Sequence, residues 1–124
     1  MSEENNRPFR VIFKEEFDVC LDRIERFFAE QGPEPLQWWY TKEIEIIDYI
    51  ENLLALNPYV GPAVERGSFK GLRRMTYGRS RHVFLNYLIY YAVHEQDRVV
   101  DVINILPART KRTRDQVINS SYSD

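Results

Sequence analysis

The chain has one cysteine, two histidines and five glycines in 124 residues, and each scarcity excludes something. A lone thiol, Cys20, forms no internal disulfide, which fits a reducing compartment and leads us to expect a cytoplasmic protein. His82 and His94, with a single cysteine elsewhere, give no metal-ligand spacing, so no metal or other cofactor is expected. The glycines form no phosphate-cradling loop, and no nucleophile elbow is present. No apolar run approaches the roughly 20 residues that cross a bilayer. The opening residues, MSEENNRPF, lack the basic flank and apolar stretch of a secretory signal.

What is present is a single domain's worth of sequence, 44% hydrophobic and 29% charged, with no repeat or low-complexity tract. Charge is unevenly placed. Residues 1–65 hold 6 Lys and Arg against 14 Asp and Glu, a net −8, whereas residues 66–124 hold 11 against 5, a net +6. Such a split suits two surfaces with different partners, or acidic helices and basic strands that neutralise each other within the fold.

Phe9, Val11 and Phe13 alternate with Arg10 and Ile12, the period of a short half-buried strand. Phe17, Cys20, Leu21, Ile24, Phe27 and Phe28 then recur at helical spacing until Gly32 and Pro33. Cys20 falls on that apolar stripe, as a small core filler. A second helix is expected from about Pro35 to Leu56, closed by Pro58, with Leu36, Trp39 or Tyr40, Ile47, Ile50, Leu53 and Leu54 inward. A two-residue Gly32-Pro33 link makes the pair an antiparallel hairpin. Trp38, Trp39 and Tyr40 are consecutive, so they point around the helix and at least one must lie on its surface.

Residues 57–71 hold three of the five glycines and two of the six prolines and read as a loop. Three strands follow. The first alternates Arg73, Met75 and Tyr77 with Leu72, Arg74 and Thr76, placing the two arginines on opposite faces. After a turn at Gly78-Arg79-Ser80, Val83 to Val93 is apolar on both faces, as in a central strand. Glu95-Gln96-Asp97 turns into a third strand from Val99 to Leu106, which Pro107 is expected to end. Ala108-Arg109-Thr110-Lys111-Arg112 then leaves as a basic run suited to an acidic protein surface or to phosphates. The fold class is α+β: a short N-terminal strand and a helix hairpin packed on an antiparallel three-stranded meander. One domain fills 1–124, its ordered core about 9–112, with a polar tail at 113–124.

This order, together with Gly71-Leu72-Arg73-Arg74, Tyr87-Leu88-Ile89-Tyr90-Tyr91-Ala92-Val93 and the stretch from Asp97 to Arg109 ending in ILPAR, resembles the RelE/ParE toxin family of bacterial type II toxin–antitoxin systems. The resemblance covers roughly residues 9–112. It implies a toxin held inactive by an antitoxin, with one of two mechanisms: RelE-like members cleave messenger RNA in the ribosome, and ParE-like members poison DNA gyrase without a catalytic set. Fold alone does not choose between them.

An RNase of this type, which would be metal-independent, needs cations at the scissile phosphate and a proton carrier for the 2′-hydroxyl. The cationic candidates are Arg73, Arg74, Arg79, Arg81, Arg109, Lys111 and Arg112, and the proton carriers are His82 and His94. The catalytic set on that reading is Arg73, Arg74, His82 and Arg109. Arg109 matches an arginine found in both branches. The tyrosine that the RelE pattern has shortly beyond it is missing from Thr113-Arg114-Asp115-Gln116, and Pro107 stands where several members carry histidine. These departures, the long hairpin and the overall acidity favour the ParE branch. The expectation is therefore a gyrase poison and not an enzyme, with Arg109, Lys111 and Arg112 at the target and Trp38, Tyr40 and Tyr91 at the antitoxin. The alternatives are the ribosome-dependent mRNA endonuclease and an attenuated member that acts mainly in its antitoxin complex. Bland roles compete at each position: a solvated histidine at a turn or strand end, or an arginine facing the acidic helices.

Overall fold

A computed structural model describes residues 7–78 and 85–109, the side chains of Leu85 and Arg109 excepted. Six elements follow in order: β1 (Arg10–Phe13), α1 (Glu15–Gln31), α2 (Pro33–Leu56), β2 (Arg73–Tyr77), β3 (Leu85–His94) and β4 (Val99–Arg109). The expected turn at Gly78-Arg79-Ser80 and the polar tail lie wholly or mostly outside the described residues.

The helices form where the apolar spacing places them. Phe17, Cys20, Leu21, Ile24 and Phe28 of α1 are buried, and Trp39, Ile46, Ile50 and Leu54 of α2 meet them. Glu15, Glu16 and Asp18 occupy the first turn of α1, where the helix dipole favours negative charge. The link between helices is shorter than expected. Gly32 alone turns the chain, at φ 126°, and Pro33 is already the first residue of α2. Proline suits that position because its missing N–H has no partner in the first turn and its fixed φ is already helical. Ile46, rather than Ile47, is the fully buried residue at mid-helix, with Ile47 half-buried beside it.

The sheet has four strands in the order β1-β4-β3-β2. The expected antiparallel meander is there, and β1 joins it parallel to β4, from Arg10 opposite Val99 to Phe13 opposite Val102. The intervening helices and strands supply the long crossover that a parallel pair requires. One face of the sheet packs on the helices through Met75, Tyr87, Ile89, Tyr91, Val100, Val102 and Ile105. On the other face Phe69, from the 57–72 loop, stacks on Tyr90 with ring centroids 4.0 Å apart. This covers the second apolar side of β3.

Strict alternation along β4 would put Val102 and Ile105 on opposite faces, yet both are fully buried in one core. The pairing explains it. Tyr90 lies opposite Asn104 and Tyr91 opposite Val102, leaving Ile103 as an extra residue. A bulge of one residue resets which side chains point inward.

Pro107 does not end β4. It pairs opposite Tyr87, and the strand runs on to Arg109. Proline is tolerated because β1 reaches only to Val102, so β4 beyond that point is an edge where no ladder hydrogen bond is lost.

Candidate functional site

The two arginine groups singled out by the sequence sit at opposite ends of the sheet. Arg73 lies opposite Tyr91 on β3, and Arg109 lies opposite Leu85. Six residues of strand separate them, roughly 20 Å at the rise of a β-strand.

At its end, Arg73 is engaged with the loop. Its Nε donates to the Gly61 carbonyl at 2.6 Å and its Nη2 reaches the Tyr59 carbonyl at 3.4 Å, while the guanidinium lies 5.1 Å from the Tyr59 ring centroid. Its expected structural partners were acids on the helices; the observed partners are backbone carbonyls and an aromatic face. Tyr59 in turn donates its hydroxyl to Glu95, and this bond, ahead of desolvation, holds the Tyr59 phenol above its usual range. Arg74, on the opposite face, is exposed beside Pro62, Ala63, Val64, Glu65 and Arg66.

Tyr91 was expected to face an antitoxin. Instead it is fully buried, and its hydroxyl accepts the Gly61 N–H at 2.9 Å. It offers no surface in this fold. Its phenol is raised by burial and lowered by the Gly61 bond and by Arg73. Gly61 is the residue this arrangement requires: a Cβ there would stand 2.3 Å from the Arg74 carbonyl oxygen and 3.0 Å from the Tyr91 hydroxyl. Alongside it, Pro62 accepts from the Arg74 N–H, Ala63 bridges Arg73, and Val64 donates to Leu72. This loop therefore closes the outer edge of β2. The sequence signal for it was the glycine between Val60 and Pro62, which composition marks only as loop.

His94 bonds Asp101 at 2.9 Å across the β3–β4 pair and is half-exposed. It lies at the Arg73 end of the sheet, remote from Arg109. His82, Lys111 and Arg112 lie outside the described residues, as do Arg79 and Arg81. Arg109 is placed through its backbone alone, at the end of β4. No cluster of metal-ligating side chains occurs among the described residues, and no helix there is long and apolar enough to cross a membrane.

Of the three consecutive aromatics, Trp39 takes the inward position that the sequence left open between Trp39 and Tyr40, and Trp38 and Tyr40 are exposed on either side of it. Trp39 stacks on Phe28 at 5.6 Å and lies 6.0 Å from the Tyr87 ring. Lys42 covers Trp38 at 5.6 Å, and Tyr40 donates to Glu25 Oε2 at 2.8 Å across the hairpin. That bond, before burial and the charges of Glu25 and Glu43, raises the Tyr40 phenol.

A helix hairpin on a four-stranded sheet, with β1 parallel to β4 and the other pairs antiparallel, is the α+β class to which the RelE/ParE toxins belong. The fold resembles that of the RelBE2 toxin–antitoxin complex from Mycobacterium tuberculosis, with a TM-score of 0.51, 14% sequence identity, and coverage of 82% of this chain and 93% of that one. Residues 11–112 match the family described as the ParE toxin of the type II toxin–antitoxin system parDE. The chain belongs to that family. No curated protein matches it in sequence.

Proposed function

We propose that this ParE-family toxin arrests growth in the cytoplasm by binding DNA gyrase and blocking its cycle, and that a cognate antitoxin neutralises it. The separation of Arg73 from Arg109 supports a binding poison over a nuclease. A nuclease site would require its cations to converge on one phosphate. Here Arg73 is committed to the loop carbonyls some 20 Å away, by the strand rise, from the end of β4. The basic exit, Arg109 with Lys111 and Arg112, is the proposed contact with gyrase, a cationic cluster suited to an acidic surface. Exposed Trp38 and Tyr40 are the proposed antitoxin contacts, aromatic anchors of the kind that dominate interfaces.

The test is to induce the protein in cells and follow the DNA damage response and protein synthesis together. A damage response that precedes any fall in translation is expected. Rapid loss of translation with cleaved messages and no damage response would refute the gyrase reading in favour of the ribosome. Alanine at Arg109, Lys111 and Arg112 should relieve the arrest while leaving the circular dichroism spectrum unchanged.

A further inference from the structure

Arg66, in the loop that closes the β2 edge, and Arg74, on β2 itself, line one open cleft of about 350 Å³. Its other walls are Pro62, Ala63, Val64 and Glu65. Loop and strand are fastened together here. The Arg74 N–H donates to the Pro62 carbonyl at 3.0 Å, the Val64 N–H to Leu72 at 2.7 Å, and the Gly71 N–H to Val64 at 3.1 Å. The walls are thus set before a ligand arrives, and little ordering is needed on binding. Both arginine side chains are exposed, and neither guanidinium has a hydrogen bond or ion pair among the described residues. Glu65 is exposed in the same cleft and pairs with neither.

The surroundings keep the charge positive. Residues 66–78 hold Arg66, Lys70, Arg73 and Arg74 and no Asp or Glu. Lys70 is exposed, and Arg73 is engaged by carbonyls and an aromatic face, which leave its charge in place. The acids are concentrated instead on the hairpin, where Glu15 to Leu56 has 11 acidic and 3 basic residues. The hairpin covers the sheet face opposite Arg74, so an anion is drawn to the loop side and repelled from the other.

Which anion fits follows from what the cleft lacks. No aromatic ring lines it, and the neighbouring Phe69 and Tyr90 rings are stacked on each other, so an unpaired base has no platform. Its bulkiest apolar wall is the half-buried Val64, a poor anchor for a protein partner. What it offers is two guanidinium forks, the group that grips a phosphate bidentately. No histidine lines it, so it is built to hold a phosphate and not to cleave beside one. A duplex, with its bases stacked inside, presents such phosphates at its surface.

We propose that the Arg66–Arg74 cleft binds the phosphate backbone of a nucleic-acid duplex without reading its sequence. The binding itself is independent of the function proposed above; only its attribution to the DNA that gyrase carries rests on that reading. Arg74 pairs with Tyr90 and Arg109 with Leu85, so cleft and basic exit stand five strand residues, about 17 Å, apart. One end can meet a duplex while the other meets the protein bound to it.

The probe is a fluorescein-labelled DNA duplex of about 20 base pairs, titrated with the purified full chain and followed by anisotropy at several salt concentrations. Saturable binding is expected, equal for unrelated sequences and weaker for the single strand. R66Q with R74Q should weaken it about tenfold and lower the slope of log affinity against log salt by about 2. R66K with R74K should keep the slope, and E65Q should tighten binding, with each fold checked by circular dichroism. A chain carrying R109A, K111A and R112A should retain the binding that depends on Arg66 and Arg74. Disappearance of that binding, indifference to R66Q with R74Q, tighter binding of the single strand, or equal capture of a polyglutamate peptide would overturn the duplex site. In cells, R66Q with R74Q should blunt the DNA damage response. An undiminished response, or an RNA duplex bound more tightly than the DNA, would remove gyrase-held DNA as the ligand. Absence of any damage response from the unmodified chain would instead refute the gyrase reading and leave the anisotropy to decide the cleft.

Discussion

Tyr87 and Tyr91 lie four residues apart on one face of β3, both buried in the same core, and their hydroxyls differ in one respect. Tyr91 accepts the Gly61 N–H at 2.9 Å, whereas the Tyr87 hydroxyl is buried with no hydrogen-bond partner. Tyrosine to phenylalanine is therefore the same chemical change at two sites with opposite consequences. In Tyr91→Phe the aromatic packing stays, but a buried backbone N–H loses its acceptor, a loss of about 1–3 kcal/mol. In Tyr87→Phe an unpartnered hydroxyl is removed from an apolar site beside Trp39, which should leave stability unchanged or raise it by up to about 1 kcal/mol. For a domain of this size each kcal/mol moves Tm by roughly 3–6 °C. Urea denaturation of the purified variants, with equal m-values, measures the difference. Tyr91→Phe should unfold first, the unmodified chain next, and Tyr87→Phe together with it or last. Equal destabilisation of the two variants, or a larger loss at Tyr87, would refute the assignment of Tyr91 as the anchor of the loop.

The same tyrosine sets an alkaline limit. Burial pushes the Tyr87 phenol up to about 12 from an ordinary value near 10, so between those values the folded chain holds a proton that the unfolded chain has released. Its contribution to stability is present below about pH 10 and is lost as the pH rises towards 12; phenolate absorbance followed with unfolding should show this, and Tyr87→Phe should flatten the decline. Gly61→Ala would force its new Cβ against the Arg74 carbonyl and the Tyr91 hydroxyl, with a loss on the order of 3 kcal/mol in denaturant. Arg73→Ala removes the donor to the Gly61 and Tyr59 carbonyls, and proteolysis should cut the 57–64 segment sooner while the sheet core keeps its hydrogen-exchange protection. Retention of full loop protection would show that Arg73 is not what holds it.

The helices were legible because their signal is local. The spacing of Phe17, Cys20, Leu21, Ile24 and Phe28 determines an inward stripe whatever it packs against, and three consecutive aromatics at 38–40 must diverge around a helix. The three strands of the meander were legible through their alternation and turns. The ParE assignment rests on 11–112 as a whole, since no short motif within that span carries it.

Other features depend on which strand lies beside which. Proline predicts a strand end, but whether Pro107 breaks β4 depends on how far β1 extends along it, a relation between residues about a hundred positions apart. The unpaired Ile103 is invisible in composition because a bulge exists only relative to the partner strand. Tyr91 reads as a candidate contact from its place in an apolar run, yet its fate depends on Gly61 approaching from the loop. In the linear sequence Arg73 and Arg109 stood in one candidate set. Register alone places Arg73 and Arg109 about six strand residues apart, with Arg73 closing the β2 edge and Arg109 at the end of β4. The sequence by itself thus determined the elements, the family and the uneven charge. The tertiary structure decided that Arg73 is committed to the loop carbonyls and that Tyr91 is buried under Gly61, because both depend on contacts across the fold that no local pattern encodes.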